Sequence, residues 1–227
     1  MAKGSFPHDL FLARANWLAY PNRGAVASRL RVDPKKNYKI DVISKLWPLL
    51  ALLAVLLAAT FQLRNQGRSW WCSCRQPFLW AGDIWSSHNS QHLVDPFAFT
   101  HVLHGFLFFW LVSWLLPRMQ QIWQLALTIL LEAVWEIFEN TEFTIQRYRE
   151  TTAALGYYGD SIANSLGDVA TCGIGFIIAE RLGLRRSFIA FAVTELVLLI
   201  WIRDSLLLEI LMLIYPIDWL KAWQMGH

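Results

Sequence analysis

The sequence predicts an all-α polytopic transmembrane helix bundle of five spans, or six if its last apolar stretch breaks in two. Three observations carry that fold class. Hydrophobic residues fill 56% of the 227 positions and charged residues only 16%, with a mean hydropathy of +0.35. A soluble domain carries about a quarter charged residues, so solvating groups are scarce here. The apolar positions also gather into runs that can cross a hydrocarbon core of about 30 Å at 1.5 Å per residue. Finally, the 13 Trp favour membrane–water boundaries. Disordered, collagen-like and coiled-coil chains are excluded by the same composition.

The run 46–63 is the first span, with Pro48 in its opening turn, where a missing N–H does no harm. The second is 99–116, closed by Pro117 and Arg118. The third, 122–138, follows so short a connection that spans two and three must be antiparallel neighbours. The fourth, 162–182, is rich in Gly and Ala, which let membrane helices approach closely. A fifth apolar stretch runs from Ser187 to about Tyr215. It exceeds one untilted span and is interrupted by Arg203-Asp204, so a continuation, a re-entry and a sixth span all stay open. The tail 217–224 alternates Trp with charge and reads as an interfacial helix, as do residues 5–20. The chain therefore divides into a basic arm, 1–45, and a transmembrane helical domain, 46–227, with long loops at 64–98 and 139–160.

Nine of the 20 Lys and Arg precede residue 46, opposed there only by Asp9, Asp33 and Asp41. No nucleic-acid partner is expected, because Arg–aromatic interleaving and binding motifs are missing. Membrane lipid is the expected partner, anionic headgroups in particular. A cytoplasmic N-terminus puts thirteen Lys and Arg inside: the nine, Arg118, Arg181, Arg185 and Arg186. Seven are then outside: Arg64, Arg68, Arg75, Arg147, Arg149, Arg203 and Lys221. The bias favours that orientation, with both long loops on the outer side. The three cysteines form no disulfide framework. Cys72 and Cys74 lie one residue apart, where a bridge would be strained, and they read as ordinary loop thiols, with a cleft thiol pair or a metal contact as the alternative.

Orientation brings ionisable groups to one leaflet. His101 and His104 share a helix face near the outer end of span two. Glu132, Glu136 and Glu139 follow at i, i+4 and i+7 in span three. Asp160, Asn164 and Asp168 follow at i, i+4 and i+8 from the outer end of span four inward. Helical rise places Glu132 and Asp168 on the order of 10 Å below the outer surface. Arg203 and Asp204 can join from span five, and the outer loop adds Asp83, His88, Asn89, Gln91, His92 and Asp95. A carboxylate facing lipid unpaired is costly, so these groups must meet inside the bundle.

Three uses fit them. The first is a structural network of His–Glu and Arg–Asp pairs locking helices together, alone or with a membrane-protein partner. The second is a divalent metal such as zinc on His101, His104, Glu132, Glu136 and Asp168, although no strict His-Glu-x-x-His signature is present. The third is acid–base catalysis by Glu136, Asp160, Asp168 and His104. Trp135 reads as packing, His88 and His92 as solvated or hydrogen-bonded loop residues, and Glu195 has nothing aligned with it.

These same residues carry a resemblance. Ser86-Ser87-His88-Asn89-Ser90-Gln91-His92, Phe99-Thr100-His101-Val102-Leu103-His104-Gly105-Phe106 and Glu132…Trp135-Glu136…Glu139-Asn140 resemble an uncharacterised bacterial multi-pass inner-membrane family. So do Arg147-Tyr148-Arg149 and the stretch from Tyr157-Tyr158-Gly159-Asp160 to Asp168. The similarity covers about 70–182 and extends more loosely to Trp223-Gln224, leaving the basic arm outside. It implies a bacterial inner membrane, and hence periplasmic outer loops, but no activity. The chain departs from that pattern at Arg75, where glycine is usual, and at Pro96-Phe97, where an aromatic pair is.

Overall fold

A computed structural model describes residues 34–226 except residue 155, with side chains from residue 46. The chain divides into two units, Met1–Asp41 and Val42–His227. Of the first unit only the helical backbone of residues 34–41 is described, so the expected interfacial helix at 5–20 lies outside the described residues. The second unit is all-helical. Among the described residues there are seven helices: α1 (Pro34–Asn65), α2 (Ala98–Leu115), α3 (Gln121–Glu139), α4 (Glu142–Thr151), α5 (Ile162–Trp201), α6 (Leu206–Ile214) and α7 (Asp218–Met225). Three segments, Leu46–Asn65, Ala98–Leu115 and Gln121–Glu139, are long and apolar enough to cross a membrane.

Side-chain pairings give each helix its direction. The C-terminal end of α1 lies beside that of α3, where Gln66 Nε2 donates to the Ile137 carbonyl at 3.0 Å. Below it Ala59 packs with Ile129, Ala133 and Val169. Along α2, His101 faces Asp168 and Phe109 meets Phe176, so α2 and the first half of α5 run the same way. Farther along α5 the order reverses. Trp110 Nε1 donates to Ser187 Oγ at 2.9 Å, and Phe99 meets Trp201. The turning point is Gly183, at φ 71° and ψ 169°. Only glycine adopts such a backbone freely. The continuous helical run of α5 is thus two antiparallel segments, 162–182 and 184–201, matching the fourth and fifth apolar stretches of the sequence.

Two features of the chain's second half go beyond what the sequence specified. Residues 206–214 form a separate short helix. The chain breaks at Arg203, whose φ is 56°, and α6 has nine residues, about 14 Å. It packs against α4, where Arg147 Nε donates to the Leu213 carbonyl at 3.0 Å. The connection 139–160 is only partly a loop, because Thr141 caps α4 by accepting from the Thr144 N–H.

Polarity is turned outside in. α1 exposes Trp47, Leu50, Leu53, Leu57 and Phe61, and the second half of α5 exposes Ile189, Val193, Leu196 and Ile200. Glu132 and Glu136 are buried instead. Lipid rather than water is the solvent that suits such a surface. Close backbone contact joins α2 to α5. A methyl on Gly105 would fall on the Cys172 carbonyl, and one on Gly175 on that of Val102. The segment 66–97 lies over the start of α5, with Ile162 N–H donating to Ser69 O at 2.8 Å and Ser161 N–H to Ser90 O at 2.9 Å. Within it Arg75 and Ser90 have φ of 59° and 60°. That left-handed conformation accounts for glycine being the expected residue at position 75.

Candidate functional site: a buried histidine–carboxylate cluster

Helical spacing aims His101 and His104 from α2 at Glu132 and Glu136 on the facing side of α3. His101 Nδ1 lies 2.6 Å from Glu132 Oε1, and His104 Nδ1 lies 3.0 Å from the same oxygen. Glu136 Oε1 stands 3.3 Å from His101 Nδ1, and Asp168 Oδ2, from α5, is 3.9 Å from His101 Nε2. Five of the six residues expected at the site therefore meet around one imidazole. All are buried, Glu132 completely. Trp135 packs edge-on to His104.

Asp160, the sixth, belongs to a neighbouring layer. Its Oδ2 accepts from Asn140 Nδ2 at 2.7 Å and from the Tyr157 hydroxyl at 2.9 Å, while its N–H donates to Asn140 Oδ1. Asn140 sits one turn beyond Glu136 and donates to the Glu136 carbonyl. Burial pushes Asp160 up to about 6 against these two stabilising donors. Asp204, in the turn between α5 and α6, is raised to about 7, again chiefly by burial.

The cluster underlies a cavity of about 390 Å³, within the range of small-molecule sites. His101, His104 and Asp168 reach its surface, with Glu132 and Glu136 behind them, and Glu139, Asp160, Arg203 and Asp204 line the walls. The remaining wall mixes polar groups of the 86–100 stretch with apolar side chains, among them Ile84, Phe97, Trp135, Ile202, Leu206 and Ile210. Several polar atoms at the floor or just behind it lack a hydrogen-bond partner: Asp168 Oδ1 and Asn164 Nδ2 at the lining, and Glu132 Oε2 and both Glu136 carboxylate oxygens behind it. Buried charge in this condition is expensive and calls for protons or a cation. His101, His104 and Glu132 offer ligand atoms within 4.8 Å of one another, as do His101, Glu136 and Glu139.

Four contributors escaped the sequence reading. Tyr148, Glu209 and Gln224 line the cavity with Glu139, and the Cys172 thiol lies near Glu132. Glu209 had a faint signal, as the single acid in the apolar run Leu206–Ile214. Tyr148 and Gln224 stood only among the residues that carry the resemblance, and Cys172 had no signal. In the loop, Cys72, Cys74, His88 and His92 converge, and His92 is buried and hydrogen-bonded to the Phe78 carbonyl.

Apolar spanning helices around a buried acidic centre suggest a membrane protein, of the class whose ionisable groups face the bundle interior. A family model described as "Protein of unknown function (DUF2585)" matches residues 63–226, and the chain belongs to that family. Among its relatives is a UPF0314 protein of Rhizobium meliloti, 44% identical over 181 residues, covering 80% of this chain and 91% of the relative. Another, from Brucella anthropi, is 40% identical over 177 residues, or 78% and 90% of the two chains. A third, from Paracoccus denitrificans, is 40% identical over 181 residues, or 78% and 92%. No solved structure matches. The matched region leaves the basic arm outside, as the motif resemblance does.

Proposed function

We propose that this protein crosses the bacterial inner membrane five times, with its N-terminus cytoplasmic, and acts as a metal-dependent enzyme at the periplasmic leaflet. His101, His104 and Glu132 hold a divalent ion, zinc by ligand type. Glu136 serves as general base, and Asp168 orients His101 through its far nitrogen. The reaction class is hydrolysis or group transfer on a lipid-linked or envelope substrate. The observation that carries this reading is the set of unpartnered carboxylate oxygens at and just behind the floor of the cavity. Three acids facing two imidazoles leave negative charge that a divalent cation would balance. The apolar side chains in the cavity wall, beside its ionisable floor, suit a substrate with a lipid part.

A bound metal ion would act as a Lewis acid on the scissile group. Glu136, whose two oxygens carry no protein hydrogen bond, is free to take a proton from the attacking water. Asp160, tied to Asn140 and Tyr157, shapes the wall nearer the mouth and is not needed for that step.

The test is Glu136→Gln in protein reconstituted with envelope lipid extract. Wild type should convert a component detectable by mass spectrometry. The variant should convert none, while retaining its metal and its melting temperature. A second reading is favoured by the two short imidazole bonds to one Glu132 oxygen, which lock α2 to α3 without any ion. On that reading the protein is a non-enzymatic partner in membrane assembly. Glu136→Gln would then be neutral or stabilising, because burying an amide costs less than burying a charge.

A further inference from the structure

The segment 66–97 holds a second constellation that the first site does not use. Cys72 Sγ lies 3.3 Å from His88 Nδ1, and Cys74 Sγ lies 3.7 Å from His92 Nε2. All four ligand atoms fall within 4.8 Å of one another. Zinc bonds of about 2.3 Å to sulfur and 2.0–2.1 Å to nitrogen give a sulfur–nitrogen edge of about 3.6 Å in a tetrahedron. The observed pairs bracket that length. The two thiols are free although a single residue separates them. Each sulfur also accepts a backbone N–H, Cys72 from Cys74 and Cys74 from Gln76, both at 3.4 Å.

The histidines are equally prepared. His92 Nδ1 bonds the Phe78 carbonyl at 2.7 Å, which fixes the ring and leaves Nε2 as the ligand atom. Ser90, with φ 60°, lies between His88 and His92 in the turn that brings both rings to the cysteines. Trp71 and Phe78 flank His92.

We infer that Cys72, Cys74, His88 and His92 form a structural zinc site, four-coordinate and closed, independent of the proposed enzymatic centre. Its role is to staple the segment that builds the cavity wall. Ser90 and Gln91, between the two histidines, are the residues that reach across. Gln91 Nε2 donates to the Gly159 carbonyl at 2.9 Å, and the Gln91 carbonyl accepts from Ser161 Oγ at 3.0 Å. Ser90 N–H donates to Asp95 Oδ2 at 2.8 Å. A metal held by His88 and His92, on either side of this pair, fixes them without closing a long apolar core around the loop.

The test uses the full chain, reduced, stripped by chelator and titrated with Co²⁺ in lipid nanodiscs. Wild type should develop a saturable thiolate-to-cobalt charge-transfer band that bleaches on adding Zn²⁺. Cys74→Ser should lose the band, whereas His88→Cys should keep binding and intensify it, a gain that misfolding cannot mimic. His101→Ala should leave the band unchanged, which separates this site from the His101–Glu132 centre. Absence of the band in wild type overturns the inference. So does a band that survives Cys74→Ser but vanishes with Cys172→Ala, since the thiolate would then belong to the other cluster.

Discussion

Asp160 shows how a single residue reports its surroundings. Its carboxyl binds a proton at about 6, against 3.8 in the ordinary range, because burial outweighs the donors from Tyr157 and Asn140. The folded state thus holds the proton more tightly than the unfolded chain does, and stability from this group falls as pH rises from about 4 to about 6. Asp160→Asn removes the titrating charge and keeps an acceptor for both donors. Thermal unfolding in detergent should find the variant more stable than wild type above pH 6, by on the order of 3 kcal/mol. The difference should close below about pH 4. A variant destabilised at every pH would mean that the ionised carboxylate is required by the fold. At this scale, helical spacing made His101, His104, Glu132, Glu136 and Asp168 legible as one group, because each lies on a regular helix whose faces can be counted. It failed for Cys72, Cys74, His88 and His92, which meet through irregular turns at Arg75 and Ser90.

The helices meet through absent side chains as much as through present ones. Gly105 and Gly175 let α2 and α5 approach until backbone touches backbone, and this closeness carries His101 to Asp168. Gly105→Ala must push the carbonyl of Cys172 aside, and overpacking of this kind costs typically 1–3 kcal/mol. The melting temperature of Gly105→Ala in detergent should drop accordingly, and any metal held by His101 should be lost with it. An unchanged melting temperature would show that the two helices can separate without consequence. The Gly and Ala content of 162–182 announced close packing, yet it did not name the partner. Nor did it foresee that α4 would occupy part of the long connection, since a ten-residue amphipathic segment between spans carries a weak signal beside theirs.

Taken as one body, the segment Val42–His227 gathers its polar groups toward the end where α1 and α3 finish and α5 begins. The proposed orientation makes that end periplasmic. Reporter fusions after residues 45, 90, 119, 150 and 185 should then alternate cytoplasmic, periplasmic, cytoplasmic, periplasmic, cytoplasmic. A cytoplasmic signal at 90 would reverse the site and remove the periplasmic substrate from consideration. The sequence by itself determined the class: apolar runs, the interfacial Trp and the faces on which acids and histidines fall are all local properties, readable at one rise and one rotation per residue. Only the tertiary structure decided that the turn between the fourth and fifth stretches falls on Gly183, that 206–214 stays short, and that two loop cysteines meet two loop histidines. Those outcomes depend on single backbone torsions and on contacts between distant segments, and a local pattern contains neither.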